Sequence, residues 1–464
     1  MELYRGKNGT LEARVPKNFP FEISYREGLG RCLFATREIR PEETVLTDSA
    51  ILLGPSNPDV CIVCCSERDR RKCRLCDFYV CSWCIDSHSD EECSVLVKVG
   101  YTRDMYNVVL PVRFALLQVR DNDMFTWLLQ YMDHNEERNR KNKSLRRSTE
   151  RMALIVSSSV QGISIDLALQ IIGILFTNCF EFSSQTIRAR ALYPLVSLIN
   201  HSCIPNLRHT NLIKEMRGVN LNGEIVVMEL ETQRTVMPGT QLTIRYNHYT
   251  QGNLQRQKFL SEQWFFRCHC QRCEDPTEFG TNTSGLPCNH CSGIILPTSD
   301  QGWVCNQCGE TESIDKVQLM EEKLLNLAET KPCPFNITTS LQQLHNLSKI
   351  LHTNHFILMD LKEKFLFGFS MNLRKVRDLS LDQKRKLVPL WSAQEKYCRQ
   401  LLSYHEILDP GKSPLKTKLL LELRKILLIQ SKVLSEENKD KDELVRKLNE
   451  VKGLNQMVYT QVSL

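Results

Sequence analysis

At 464 residues, with 42% hydrophobic and 25% charged residues, the chain has the ordinary composition of a globular protein and is long enough for several domains. Its net charge of +6 and pI near 8.4 are too mild to mark a nucleic-acid binder by themselves, and no apolar run approaches the ~20 residues of a membrane-spanning helix. Met1 to Gly6 carries no apolar signal core, so the expected location is a reducing one, cytoplasm and nucleus, where twenty cysteines read as free thiols and metal ligands rather than disulfides.

In residues 18–56, short apolar runs alternate with Gly28, Gly30, Pro41, Gly54 and Pro55, the pattern of strands and turns. Residues 57–98 are dense in Cys and His and poor in apolar side chains, so bound metal must supply most of their folding energy. The pairs Cys61/Cys64, Cys73/Cys76 and Cys81/Cys84, with His88 and Cys93, offer seven thiolates and one imidazole, enough for two tetrahedral zinc sites. Alternating pairs in short fingers cross-brace. Cys61, Cys64, Cys81 and Cys84 are therefore assigned to one ion, and Cys73, Cys76, His88 and Cys93 to the other. Cys65 is spare.

Residues 99–190 turn helical, with Val108, Val109, Leu110, Val112, Leu116 and Leu117 at helical spacing. The basic run from Arg138 to Arg151 reads as a solvated helix face, with weak DNA contact as the alternative. Strand patterns return in residues 191–252, at Glu224 to Leu230 and at Gln241 to Tyr246, with Pro238-Gly239 as the turn before the second. In residues 253–280, Cys268, Cys270 and Cys273 make three ligands and need a fourth, for which Cys203 is the candidate. In residues 281–313, Cys288, Cys291, Cys305 and Cys308 close a zinc ribbon by themselves. About four zinc ions are expected, all structural, because no cluster leaves an open position beside a general base. Cys32, Cys179, Cys333 and Cys398 are isolated thiols. Residues 314–464 show amphipathic helical spacing, as in Leu341 to Leu351 and Leu415 to Leu434.

The run Leu192-Tyr193-Pro194-x-x-Ser197-Leu198-Ile199-Asn200-His201-Ser202-Cys203-x-Pro205-Asn206, then Gly239-x-x-Leu242-Thr243-Ile244-x-Tyr246, then the three-cysteine segment, resemble the SET-domain methyltransferases in order and spacing. A cysteine-rich finger between the first strands and the rest resembles the SET-and-MYND (SMYD) family. The ending Cys273-x-Asp275-Pro276-Thr277-Glu278-x-Gly280-Thr281, with the ribbon behind it, is similar to the arthropod SMYD-A-like branch. The resemblance implies an α+β fold. Its parts are a split β-rich SET domain with an inserted MYND-type finger and helical insert, a post-SET zinc site, an extra zinc ribbon and a tetratricopeptide-like helical lobe.

It also implies methyl transfer from S-adenosylmethionine to protein lysine, histone or non-histone, in transcriptional regulation, by a monomer whose finger binds proline-rich motifs. A catalytically weak adaptor is the alternative. The chemistry is an in-line displacement at carbon that needs a neutral amine held against the sulfonium methyl. The resemblance gives Tyr246 the catalytic hydroxyl, and gives Gly30, Arg31, Asn178, Asn200, His201, Tyr246 and Phe266 contact with the cofactor. By the same resemblance Tyr246 and Trp264 are expected to line the lysine channel. Two residues depart from the pattern: Cys32 stands where the cofactor loop usually has its second glycine, and Trp264 where many relatives carry tyrosine.

Overall fold

The structure, a computed structural model, describes residues 2–5, 11–14, 18–67, 69–141, 143–183, 188–212, 227–298, 302–329, 336–438 and 440–462. The chain divides into two compact units. The first comprises Met1–His201, Pro205–Ile244 and Ser261–Phe266; the second comprises Ser202–Ile204, Arg245–Leu260 and Arg267–Leu464. Cys333 and positions 224–226 of the predicted strand run lie outside the described residues.

In the first unit, Phe21–Arg26 pairs antiparallel with Gly30–Ala35, and the turn between them places Gly28 and Gly30 at φ 75° and 72°. That left-handed backbone suits glycine because it has no Cβ to clash. Thr44–Ser49, Val227–Thr232 and Leu207–Leu212 form a three-stranded antiparallel sheet with Val227–Thr232 in the centre. Along the central strand Met228, Leu230 and Thr232 are buried and their neighbours half-buried, the two-residue period of a strand with one face on a core. A second sheet orders Leu52–Pro55, Arg188–Leu192 and Phe180–Ser183. The helix Tyr106–Arg120 lies on it so closely that a Cβ at Gly54 would sit 2.6 Å from Leu110 Cβ.

The cysteine-rich segment folds as a short hairpin, Arg70–Lys72 with Tyr79–Cys81, followed by the helix Asp90–Val99, which the Ser89 hydroxyl caps by accepting from the Glu92 amide. Glu92 also fastens this segment to the strands. Arg113 donates to its carboxylate at 2.7 and 3.0 Å and to the Leu53 carbonyl at 2.6 Å. The spare Cys65 is fully buried.

The helical insert follows the spacing, but its basic run is not uniformly solvated. Arg138, on the helix Asn135–Lys141, is 7% exposed, donates to the Asp133 carbonyl and the Thr177 hydroxyl, and lies over the Phe176 and Phe265 rings. Its long stem and planar cation fit an aromatic pocket better than lysine would, which is why one arginine of the run turns inward.

The second unit contains a four-stranded sheet, Leu286–Pro287, Ile294–Pro297, Trp303–Cys305 and Thr311–Glu312, and a helical lobe. The long helix Leu381–Leu408 begins at a capping box of Ser380 and Gln383 and packs on Phe356–Gly368 and Pro414–Glu437. Pro414–Glu437 packs in turn on Lys441–Val462. Trp391, Cys398, Leu401, Tyr404, Leu419 and Leu427 form its core. Among the described residues no helix is long and apolar enough to cross a membrane.

Candidate active site and metal centres

Four ligand sets converge. Cys61, Cys64, Cys81 and Cys84 form one group, Cys73, Cys76, His88 and Cys93 a second, Cys203, Cys268, Cys270 and Cys273 a third, and Cys288, Cys291, Cys305 and Cys308 a fourth. Within each group the ligand atoms lie within 4.8 Å of one another. The cross-braced pairing and the recruitment of Cys203 from 65 residues upstream of Cys268 are both seen in these groupings. The donor chemistry fits zinc: soft sulfur with one imidazole nitrogen, four to a site. Thiolates packed this closely repel one another, so an ionised set is stable only around a cation.

In the first unit, contacts tie Asn200 to the glycine turn and set His201 beside Phe266. The Asn200–His201 strand pairs in parallel with Thr243–Ile244. The Asp48 carboxylate holds the turn before it by accepting from the Leu195 and Val196 amides at 2.8 and 3.0 Å, and burial raises the Asp48 pKa. Asn200 Nδ2 donates to the Leu29 carbonyl at 3.2 Å and to Cys32 Sγ at 3.1 Å, so the strand meets the glycine turn. The His201 and Phe266 rings lie 6.0 Å apart. The backbone carbonyl of Asn178 accepts from the Ser197 hydroxyl at 3.0 Å, while its Nδ2 donates to the Met132 and Ile174 carbonyls at 2.8 Å. Trp264 Nε1 donates to the Thr177 carbonyl at 3.3 Å, so its indole N–H is engaged within the protein.

Arg31 is held by aromatic faces. Its guanidinium lies 4.4 Å from the Trp127 ring centroid and 4.6 Å from that of Tyr131, burial lowers its pKa, and buried Nη1 has no hydrogen-bond partner among the described residues. Tyr246 belongs to the second unit, two residues past Ile244, and is half-buried.

Several supporting residues were not singled out from the sequence: Asp48, Tyr131 and, in the second unit, the buried trio Arg256, Arg272 and Glu278. Glu278 Oε2 accepts from both arginines at 2.7 Å, and Arg256 reaches Cys273 Sγ at 3.8 Å. Glu278 sits inside the quoted Cys273 to Thr281 motif, the one place where a sequence cue existed.

The SET domain family matches residues 30–247. The match places a SET domain in this stretch of the chain. Among relatives, histone-lysine N-methyltransferase ASHR1 of Arabidopsis thaliana is 25% identical over 424 residues, covering 83% of this chain and 82% of that protein. SET domain-containing protein SmydA-8, isoform A, of Drosophila melanogaster is 26% identical over 382 residues, covering 76% and 78%. Histone-lysine N-methyltransferase Smyd1 of Mus musculus is 23% identical over 279 residues, covering 54% and 55%. The chain is thus similar to SET-domain proteins of the SMYD and ASHR kinds, several of them named as histone-lysine N-methyltransferases. The solved SET domain of LSMT, bound to lysine and AdoHcy, covers 97% of this chain and 90% of its own at 13% identity and TM-score 0.35, too slight a likeness to place any residue.

Proposed function

We propose that this chain transfers a methyl group from S-adenosylmethionine to the side-chain amine of a protein lysine, with Tyr246 as the catalytic residue. The observation that carries the reading is the parallel pairing of Asn200–His201 with Thr243–Ile244, the strand whose chain runs on into Tyr246. Gly30, Arg31, Asn178, Asn200, His201 and Phe266 would hold the cofactor, and the partnerless buried Nη1 of Arg31 is a donor suited to a carboxylate-bearing ligand. When bound, the cofactor supplies a methyl group activated on a sulfonium. The protein's part is to orient a lysine amine, keep it neutral by desolvation and exclude water, with the Tyr246 hydroxyl as the aligning group and Trp264 as a channel wall.

In this reading residues 57–98 are a MYND finger that binds proline-rich motifs, a role favoured by Leu75 and Trp83 on its surface, 71% and 81% exposed. Residues 18–56, 99–190 and 191–252 make the split SET domain, 253–280 the post-SET segment, 281–313 the ribbon and 314–464 a tetratricopeptide-like lobe. We assign the protein to the cytoplasm and nucleus, as a monomer acting in transcriptional regulation, with weak DNA contact left to the outward part of the basic run.

The test is titration calorimetry with S-adenosylmethionine, followed by transfer assays on arrays of histone and non-histone peptides. The zinc-loaded protein is expected to bind and transfer, and Tyr246→Phe to keep binding while losing about a hundredfold or more in turnover, as for loss of a positioned catalytic group. Absence of both binding and transfer in the wild type would sink the enzyme reading and leave a finger-borne adaptor.

A further inference from the structure

We infer that Arg245 is a positioning residue through which the end of the long helix Leu381–Leu408 and the third metal centre together fix the placement of Tyr246. This rests on the reading of Tyr246 as catalytic. All the contacts that follow lie within the second unit.

Arg245 makes three kinds of contact at once. Its Nε donates to the carbonyl of the metal ligand Cys203 at 3.4 Å, its Nη1 to Asp409 Oδ1 at 2.9 Å, and its Nη2 to the Leu408 carbonyl at 3.0 Å. Leu408 and Asp409 are the last residue and the C-cap of that helix, where the macrodipole and the open carbonyls present negative potential. A guanidinium with five donors in a fork can meet a carboxylate, a helix-end carbonyl and a loop carbonyl together, whereas an ammonium cannot. Both partners are desolvated, the Arg245 side chain 14% exposed and that of Asp409 9%, so the pair is held by the penalty of leaving either charge alone.

The neighbour on the other side of Tyr246 is anchored too. Asn247 is buried and its Nδ2 donates to Cys203 Sγ at 3.5 Å, the kind of outer contact that orients a metal ligand. Tyr249 completes the segment, with its ring 5.1 Å from the Arg245 guanidinium and edge-on to His405 at 5.1 Å. The Cα of Tyr246 thus stands ~3.8 Å from each of two pinned neighbours and cannot shift without dragging a metal ligand or a helix end. The consequence is functional: whatever displaces the Leu408–Asp409 helix end also displaces the catalytic hydroxyl.

The experiment compares the full-length zinc-loaded wild type with Asp409→Asn, Asp409→Glu, Arg245→Lys and Tyr246→Phe. It measures kcat, KM for peptide, cofactor Kd, zinc content and the ratio of mono- to higher-methylated product by mass spectrometry. Asp409→Asn and Arg245→Lys are expected to lower kcat on the order of ten- to a hundredfold, the penalty of a small misplacement, while cofactor Kd and zinc content hold. The product ratio should move with them, because hydroxyl position governs how the methylated amine can turn. Asp409→Glu should recover part of the loss. If Asp409→Asn fails to retain zinc, Arg245→Lys, which keeps the buried charge, decides. Wild-type kcat and product ratio in the folded Arg245 and Asp409 variants, with Tyr246→Phe inactive, overturns the inference. Wild-type turnover in Tyr246→Phe instead overturns the catalytic assignment, and this inference with it.

Discussion

The Asn200 side chain lies within 3.1 Å of the Cys32 thiol, joining the Asn-His-Ser-Cys segment to the strand that follows the glycine turn. Positive φ occurs at Gly28 and Gly30 but not at Cys32, which sits in regular strand with its side chain fully buried. A glycine at position 32 is therefore not required by the backbone. Cys32→Gly should lose about 1–2 kcal/mol, from the vacated thiol volume and the added chain entropy, without tightening cofactor binding. Thermal melts and calorimetry check this; a clear gain in affinity would show that the thiol obstructs the cofactor.

Glu278 is fully buried and answers two fully buried arginines, Arg256 and Arg272. Glu278→Gln removes the carboxylate charge that both cations share. It should destabilise the second unit by about 3–5 kcal/mol, the usual result of removing one partner from a buried charge set. Because Arg256 touches Cys273, zinc at the third centre should fall as well. A urea midpoint and zinc content equal to wild type would contradict this account.

Metal analysis of the purified protein should return about four zinc ions, one for each ligand group. Cys73→Ser should lower that by about one and expose the Asp90–Val99 helix, which carries the ligand Cys93, to protease. Retention of all the zinc would mean that the second group does not hold an ion.

His405 predicts an acid-sensitive second unit. It is buried against Tyr249 and Tyr404, with Asp409, Lys416, His248 and Arg245 as its charged or titratable neighbours, and burial draws its pKa from 6.5 down to about 4. The unfolded chain then binds more protons than the folded one between those values. Stability contributed above pH 6.5 is lost as pH falls toward 4. His405→Phe keeps a ring and removes the titration, so the urea midpoint should depend less steeply on pH across that window. An unchanged slope would assign the acid loss to other groups.

Arg138 and Arg146 share one basic run but differ in surroundings. Arg138 is 7% exposed in its aromatic pocket, whereas the Arg146 side chain is 57% exposed and pairs with Glu150 one turn away. Arg138→Ala should cost about 2 kcal/mol or more through lost packing and hydrogen bonds, and Arg146→Ala less than about 0.5 kcal/mol. Equal melting points would refute the distinction.

What could be read from the amino-acid sequence was chemistry that is local in the chain or restrictive in type. Cysteine pairs two residues apart must point together, zinc accepts four soft ligands, and alternation of pairs implies cross-bracing. The four ligand groups were therefore legible before any coordinates, as were the Asn200-His201 and Tyr246 motifs and the amphipathic C-terminal helices. Tertiary structure alone decided how charges are spent. Nothing in sequence turns Arg138 inward while Arg146 stays in solvent, brings Asp48 beneath the turn before Asn200, or joins Arg245 to Asp409 across 164 residues. Coulomb and hydrogen-bond partners are chosen by proximity in space, and a lone charged residue carries no period or spacing that announces its partner. Tyr246 thus belongs to both accounts: its motif was visible in the chain, and the residues that pin it were visible only in the fold.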